Sequence, residues 1–220
     1  MEYLVTMTTH VPAGTPEQAV ETMRARESAH TRELAAQGHV LRLWRPPLAP
    51  GEWRTLGLFA AADGAELERV LTSMPLRAWR TDEVQQLARH PNDPAAGTGP
   101  AAAPAGEQAS CAEFLVTFTP AVPDGTGQAD LAEATAREAD RAADLAREGH
   151  LVRLWALPAA HGTRQALGLW RAATGAQLTA ILESLPLRRY QATQATPLTA
   201  HPSDPAAPGS RPQRTGGGHG

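Results

Sequence analysis

The stretch TPEQAVETMRARESAHTRELAAQGHVLRLW, residues 15–44, decides the fold, because it occurs twice. Residues 126–155 read TGQADLAEATAREADRAADLAREGHLVRLW, a constant 111 positions further on and without a gap. Both stretches carry an Arg-Glu pair (Arg26-Glu27 and Arg137-Glu138), stop at a glycine (Gly38 and Gly149) and run into a strand ending in Arg-Leu-Trp. Glycine enters the left-handed backbone region that ends a helix without steric cost, so the sequence sets a helix-to-strand junction at both places.

Working outward, the same offset joins Leu4-Val5-Thr6 to Leu115-Val116-Thr117, Leu56-Gly57-Leu58 to Leu167-Gly168-Leu169, and His90-Pro91 to His201-Pro202. Self-similarity over this length identifies two fused copies of one unit. The expected organisation is copy 1 over residues 1–94, a linker over 95–110, copy 2 over 111–205 and a tail over 206–220. The linker is rich in Ala, Gly and Pro with no apolar period, the composition of a flexible connector, and the tail has the composition of a disordered end.

Within each copy the elements follow from periodicity. Residues 2–8 alternate, with Tyr3, Val5 and Met7 on one face, which predicts a first strand. Thr15, Pro16 and Gln18 predict a helix opened by a capping box. After Gly38 come a strand over 39–45, a Pro/Gly turn, and a third strand over 53–60. Asp63 with Glu66 caps a second helix whose apolar positions are Leu67, Val70, Leu71 and Met74, and residues 78–88 predict a last strand. The order βαββαβ is ferredoxin-like, an α+β class.

Composition narrows the function. A chain 42% hydrophobic and 20% charged is an ordinary globular protein, and a net charge of −3 with every Lys/Arg position an arginine leaves no nucleic-acid footprint. The single cysteine, Cys111, excludes an internal disulfide and a cysteine-based metal cluster. No apolar run reaches membrane-spanning length and Met1 leads directly into a strand, so the expected setting is the cytoplasm, without membrane contact.

Candidate site residues cluster in the repeated stretch. Val20, Met23, Glu27, His30 and Leu34 keep helical spacing, so Glu27 lies on the stripe expected to face the sheet; Leu131, Ala134, Glu138 and Leu145 repeat it. A partly desolvated carboxylate there has the raised pKa of a general base, or it forms a structural ion pair with Arg42 or Arg153. Arg42 and Arg153 hold a substrate carboxylate or bridge the copies. Trp44 and Trp155 share their strand face and line a pocket or pack an interface. His39 and His150 reach a pocket or are satisfied by backbone, and His90 and His201 anchor the tails against a neighbouring unit.

These motifs in this order resemble one family. Arg-Glu in the first helix, Gly-x-x-x-Arg-Leu-Trp-Arg (Gly38 to Arg45), Met74-Pro75-Leu76 or Leu185-Pro186-Leu187, and Leu-x-x-His-Pro (Leu87 to Pro91, Leu198 to Pro202) resemble muconolactone Δ-isomerase over nearly all of both copies. The resemblance implies two ferredoxin-like units joining their sheets as an intramolecular dimeric α+β barrel, further assembly into a homo-oligomer, and a small-molecule substrate. It also implies a double-bond shift in an unsaturated lactone without metal or organic cofactor, with Glu27 and Glu138 at the position of the proton-abstracting glutamate. The stretches Gly51 to Gly57 and Gly162 to Gly168 depart from the family's polar segment. That departure keeps two alternatives open: a cyclase, dehydratase or decarboxylase of secondary metabolism, and a non-catalytic binding module. Arg45 standing where copy 2 has Ala156, and Trp53 where it has Arg164, predict that the two pockets differ.

Overall fold

The computed structural model describes residues 1–97, 111–160 and 163–207. Copy 1 runs β1 (Glu2–Thr9), α1 (Glu17–Ala36), β2 (Val40–Arg45), β3 (Arg54–Ala60), α2 (Gly64–Ser73), a 3-10 turn over Pro75–Trp79, and β4 (Arg80–Arg89). Copy 2 repeats it with β5 (Ala112–Pro120), α3 (Gln128–Arg147), β6 (Leu151–Ala160), β7 (Thr163–Ala172), α4 (Gly175–Glu183), a 3-10 turn over Arg188–Tyr190, and β8 (Gln191–Ala200). The predicted βαββαβ order is present in both copies.

The eight strands close into one antiparallel barrel in the order β1-β3-β2-β8-β5-β7-β6-β4. Closure needs both copies: β2 meets β8 through Trp44↔Ala200 and Arg45↔Thr199, and β4 meets β6 through Ala88↔Ala156 and Arg89↔Trp155. The alternation read from the sequence assigns the faces. Tyr3, Val5 and Met7 pack outward with Leu34, Leu67, Val70 and Leu71 under the helices of copy 1, while Trp44, Leu58, Trp155 and Leu169 fill the barrel interior. Copy 2 builds the matching outer layer from Phe114, Val116, Leu145 and Leu182. A register shift between Val40 and Arg42 lets β2 send Val40 and Leu43 to the helix layer while Trp44 turns into the barrel.

Both helix stops form as predicted, with Gly38 at φ +83° and Gly149 at φ +81°. Asp63 caps α2 by accepting from the Glu66 amide at 2.8 Å. The capping box at Thr15 does not form: α1 starts after Pro16, and the Thr15 hydroxyl donates to the Pro12 carbonyl at 2.7 Å. That bond turns the hydroxyl back toward the preceding turn, and the cap position falls to Pro16, whose side chain has no acceptor for the helix amides. The third strand starts at Arg54, one residue later than expected, and the last strand starts at Arg80 because Pro75 opens a 3-10 turn. Of the expected linker, residues 95–97 belong to a 3-10 turn over Pro94–Gly97 with Ala95 buried, and 98–110 lie outside the described residues. Of the expected tail, 206–207 form a turn on Asp204, and 208–220 lie outside the described residues. Among the described residues no helix is long and apolar enough to cross a membrane.

Candidate functional site

Helix α1 lies on the sheet by the expected stripe, with Glu27 half-buried and Thr31 and Leu34 buried. The same position on α3 carries Glu138. Each glutamate closes the start of a turn that begins with proline, which has no amide hydrogen to give. The next amide needs an acceptor, and the glutamate supplies it: Leu76 N–H donates to Glu27 Oε2 at 2.8 Å, and Leu187 N–H to Glu138 Oε2 at 2.9 Å.

The two carboxylates then part company. In copy 1 the side chain of Arg80, only 2% exposed, donates Nη1 to Glu27 Oε1 at 3.0 Å and Nε to Asp82 at 2.8 Å. Copy 2 carries Gln191 and Thr193 at these two places. The Oε1 of Glu138 has no hydrogen-bond partner among the described residues. Burial pushes the Glu138 carboxyl above its ordinary value, the Leu187 amide opposing in part.

Each glutamate lines a cavity between its helix and the sheet. The copy-2 cavity is about 130 Å³ and is lined by Glu138, Thr135, Gln191 and Trp170 among mostly apolar neighbours. Trp170 is 2% exposed, and its Nε1 is the one buried side-chain polar atom without a partner among the described residues. Buried donors are nearly always satisfied; this one belongs to a residue of the cavity wall and is packed over Gly168, closed off from water. Copy 1 has Phe59 at this position and a larger cavity, about 570 Å³, with Arg24, Arg45, Arg54 and Arg80 beside Glu27 and Glu52.

The tails cross. His90 and Asn92 of copy 1 line the copy-2 cavity, and His201, Pro202 and Ser203 of copy 2 line the copy-1 cavity. His90 Nδ1 accepts from the Asn92 amide at 3.1 Å and His201 Nδ1 from the Ser203 amide at 3.1 Å, so each neutral ring carries its proton on Nε2. Burial lowers both imidazoles. For His90 the charge of Asp93 opposes in part; for His201 the charge of Arg45 adds, bringing it to about 4.

The remaining candidates lie elsewhere. Arg42 grips Glu113 with Nη2 at 2.7 Å and Asp204 with Nη2 at 3.1 Å, and Trp44 Nε1 donates to Glu113 at 2.7 Å. Arg153 repeats this with Glu2 at 2.7 Å and Asp93 at 3.2 Å, and Trp155 donates to Glu2 at 2.5 Å. These four side chains therefore bridge the copies, the inter-unit alternative of the sequence reading, and line neither glutamate cavity. Burial pushes Glu113 up, but the bidentate contact and charge of Arg42, with Trp44 and Arg171, outweigh it and hold the carboxyl below its ordinary value. The rings of His39 and His150 meet the carbonyls of Ala60 and Arg171 at 3.1 and 3.0 Å, fixing backbone outside both cavities.

Reading the sequence missed Arg80, Trp170, Asp93 and Asp204. The two aspartates had a signal, since each stands three residues after its tail histidine at the 111-residue offset. Among the described residues no three metal-ligating side chains come together.

A sequence model of the muconolactone delta-isomerase family matches residues 1–93 and again 112–204. Muconolactone delta-isomerase 1 of Acinetobacter lwoffii is 32% identical over 92 residues, 42% of this chain and 93% of that protein. The muconolactone delta-isomerase of Cupriavidus pinatubonensis is 30% identical over 92 residues, covering 42% of this chain and 97% of its own length. Among solved structures, a heme-binding protein from Thermus thermophilus superposes with a TM-score of 0.54 at 12% identity, over 92% of this chain and 93% of that one. A variant chlorite dismutase from Candidatus Nitrospira defluvii gives 0.57 at 10% identity, over 90% and 91%. At such identities the likeness is one of fold.

Proposed function

The chain belongs to the muconolactone delta-isomerase family, and from that premise we propose that it moves a carbon–carbon double bond in a small unsaturated lactone, with Glu138 of copy 2 as the base. The observation that carries this reading is the free Oε1 of a desolvated carboxylate in a small, mostly apolar cavity. The cavity is near the ~150 Å³ that accommodates benzene in an engineered apolar pocket, a scale that suits a small lactone.

Glu138 Oε1 removes a proton from the carbon next to the double bond. Electron density moves through the conjugated system onto the carbonyl oxygen as a dienolate, and Glu138 returns the proton at the far carbon. Nothing is oxidised or reduced, and the carboxylate ends as it began. The developing oxyanion needs a donor in a dry site, worth roughly 3 kcal/mol in comparable oxyanion holes. The neutral His90, with Nε2–H, offers that donor without bringing a charge that would quench the base, and the unpartnered Trp170 N–H of the cavity wall is the second, reached when the wall opens around the bound lactone.

The test is proton NMR of the full chain with muconolactone in deuterated water, for wild type, Glu138→Gln and Glu27→Gln. Double-bond migration is expected in wild type and in Glu27→Gln and not in Glu138→Gln, and the deuterium content of the product gives the share of turnovers in which the Glu138 proton exchanges before its return. Undiminished migration in Glu138→Gln removes the assignment of the base, and no migration in any of the three removes this substrate.

A further inference from the structure

The copy-1 cavity keeps the place of an active site but has a different chemistry. Its glutamate is held at both oxygens, by Leu76 and by Arg80, so no carboxylate oxygen is left unengaged for a substrate proton. Its walls carry four arginines against two glutamates. Arg80 is committed to Glu27 and Asp82, and Arg54 faces Glu52 at 4.0 Å. Arg24 and Arg45 make no ion pair among the described residues. The Arg24 guanidinium lies over the Trp53 ring, 4.4 Å from its centroid, an arrangement that occupies its face and leaves its N–H edge for an acceptor.

Two uncommitted guanidinium groups at one cavity, with Trp53, Leu48 and Met74 as apolar wall, describe a complement to a carbon skeleton bearing two carboxylates. We infer that the copy-1 cavity is a binding site for a small organic dianion and is not a second proton-transfer centre. Copy 2 cannot share the property, because Thr135 stands in place of Arg24 and Ala156 in place of Arg45. The His201 ring at the same cavity is neutral and adds an Nε2–H donor, so a bound dianion meets a donor there and no further charge to compensate. The inference stands on the arginines alone and does not depend on the reaction assigned to Glu138.

Equilibrium dialysis of the full chain with radiolabelled adipate tests it. One adipate per chain is expected to bind. Arg24→Thr combined with Arg45→Ala, which installs the residues of copy 2 at two exposed positions, is expected to weaken binding at least tenfold with the melting temperature preserved. Glu138→Gln is expected to retain binding, and the monocarboxylate hexanoate to compete at least tenfold more weakly than unlabelled adipate. Binding of two adipates per chain, no binding, unchanged affinity in the arginine variant, or loss of binding in Glu138→Gln each overturns the inference.

Discussion

Arg80 donates to Glu27 across 3.0 Å, and Gln191, at the equivalent place in copy 2, leaves Glu138 without a cation. The same substitution in the two copies must therefore act in opposite directions. Glu27→Gln removes one of the two anions compensating a buried guanidinium, and a broken buried pair costs several kcal/mol when no partner remains. With Asp82 still in place, a loss of about 1–3 kcal/mol is expected, or several degrees of melting temperature at ~2–4 °C per kcal/mol. Glu138→Gln keeps an acceptor for the Leu187 amide and removes a charge whose burial is unfavourable. It should melt at or above wild type, and calorimetry showing both variants destabilised alike would contradict this contrast.

The pH dependence of turnover follows from the same carboxyl. A base works only when deprotonated, and the Glu138 value is raised by burial. The acid limb of kcat/KM should therefore fall at a pH above the ordinary glutamate value, activity being lost as pH drops through it. A limb at or below the ordinary value places the proton transfer on another group.

Trp170→Phe separates stability from turnover. The variant copies Phe59 of copy 1, removes an unpartnered buried N–H and takes away the second donor assigned to the oxyanion. Turnover should fall by about 10²-fold, as for other single oxyanion donors. Stability should hold or rise by about 1 kcal/mol, the lower end of what an unsatisfied buried donor costs. Lost stability with full activity would mean that the indole is packing only. Gly168 makes the same wall tight from behind, since a Cβ there would overlap the Trp170 indole nitrogen.

The seam between the copies should yield first in acid. The folded-state value of Glu113 is depressed, so its contribution is complete above the ordinary glutamate value and is lost as pH falls through the folded one. His201 is also lowered, but as a base. Its neutral form favours the folded state above pH ~6.5, the ordinary histidine value, and that advantage fades as pH falls toward about 4. Urea denaturation at stepped pH should show stability declining from just below neutrality and steepening below ~4. Arg42→Met, which leaves the Glu113 and Asp204 carboxylates at the seam without this cation, should cost ~3–5 kcal/mol at neutral pH. A variant as stable as wild type would show that the pair contributes only orientation.

What the sequence could show depended on distance along the chain. The Gly38 stop, the Asp63 cap and the helical stripe through Glu27 are local, set by neighbours a turn or two away, and they appear as read. Thr15 misled because its side chain turns back to donate to a carbonyl three residues earlier, and the cap position falls to Pro16. The partners of Arg42 lie 71 and 162 positions away, and those of Glu27 lie 49 and 53 away. Their meeting depends on barrel closure and on where a 3-10 turn ends, neither of which leaves a periodic trace. The duplication itself was legible throughout, and position-by-position comparison of the copies would have exposed Arg80 against Gln191 and Phe59 against Trp170.

The closed barrel also bears on how the chain is made. Until copy 2 emerges, β2 and β4 end the first half-sheet with unpaired backbone groups, the template on which strands of other molecules add. The interval from the end of β4 to the end of β8 is 111 residues. At ~5–20 residues per second, synthesis leaves those two rims raw for roughly 6–22 s. The covalent link therefore does more than pair two halves: it delivers the covering strands at high local concentration before a neighbouring ribosome's product can, and once β8 and β4 have found their partners no rim is left on which another strand can add.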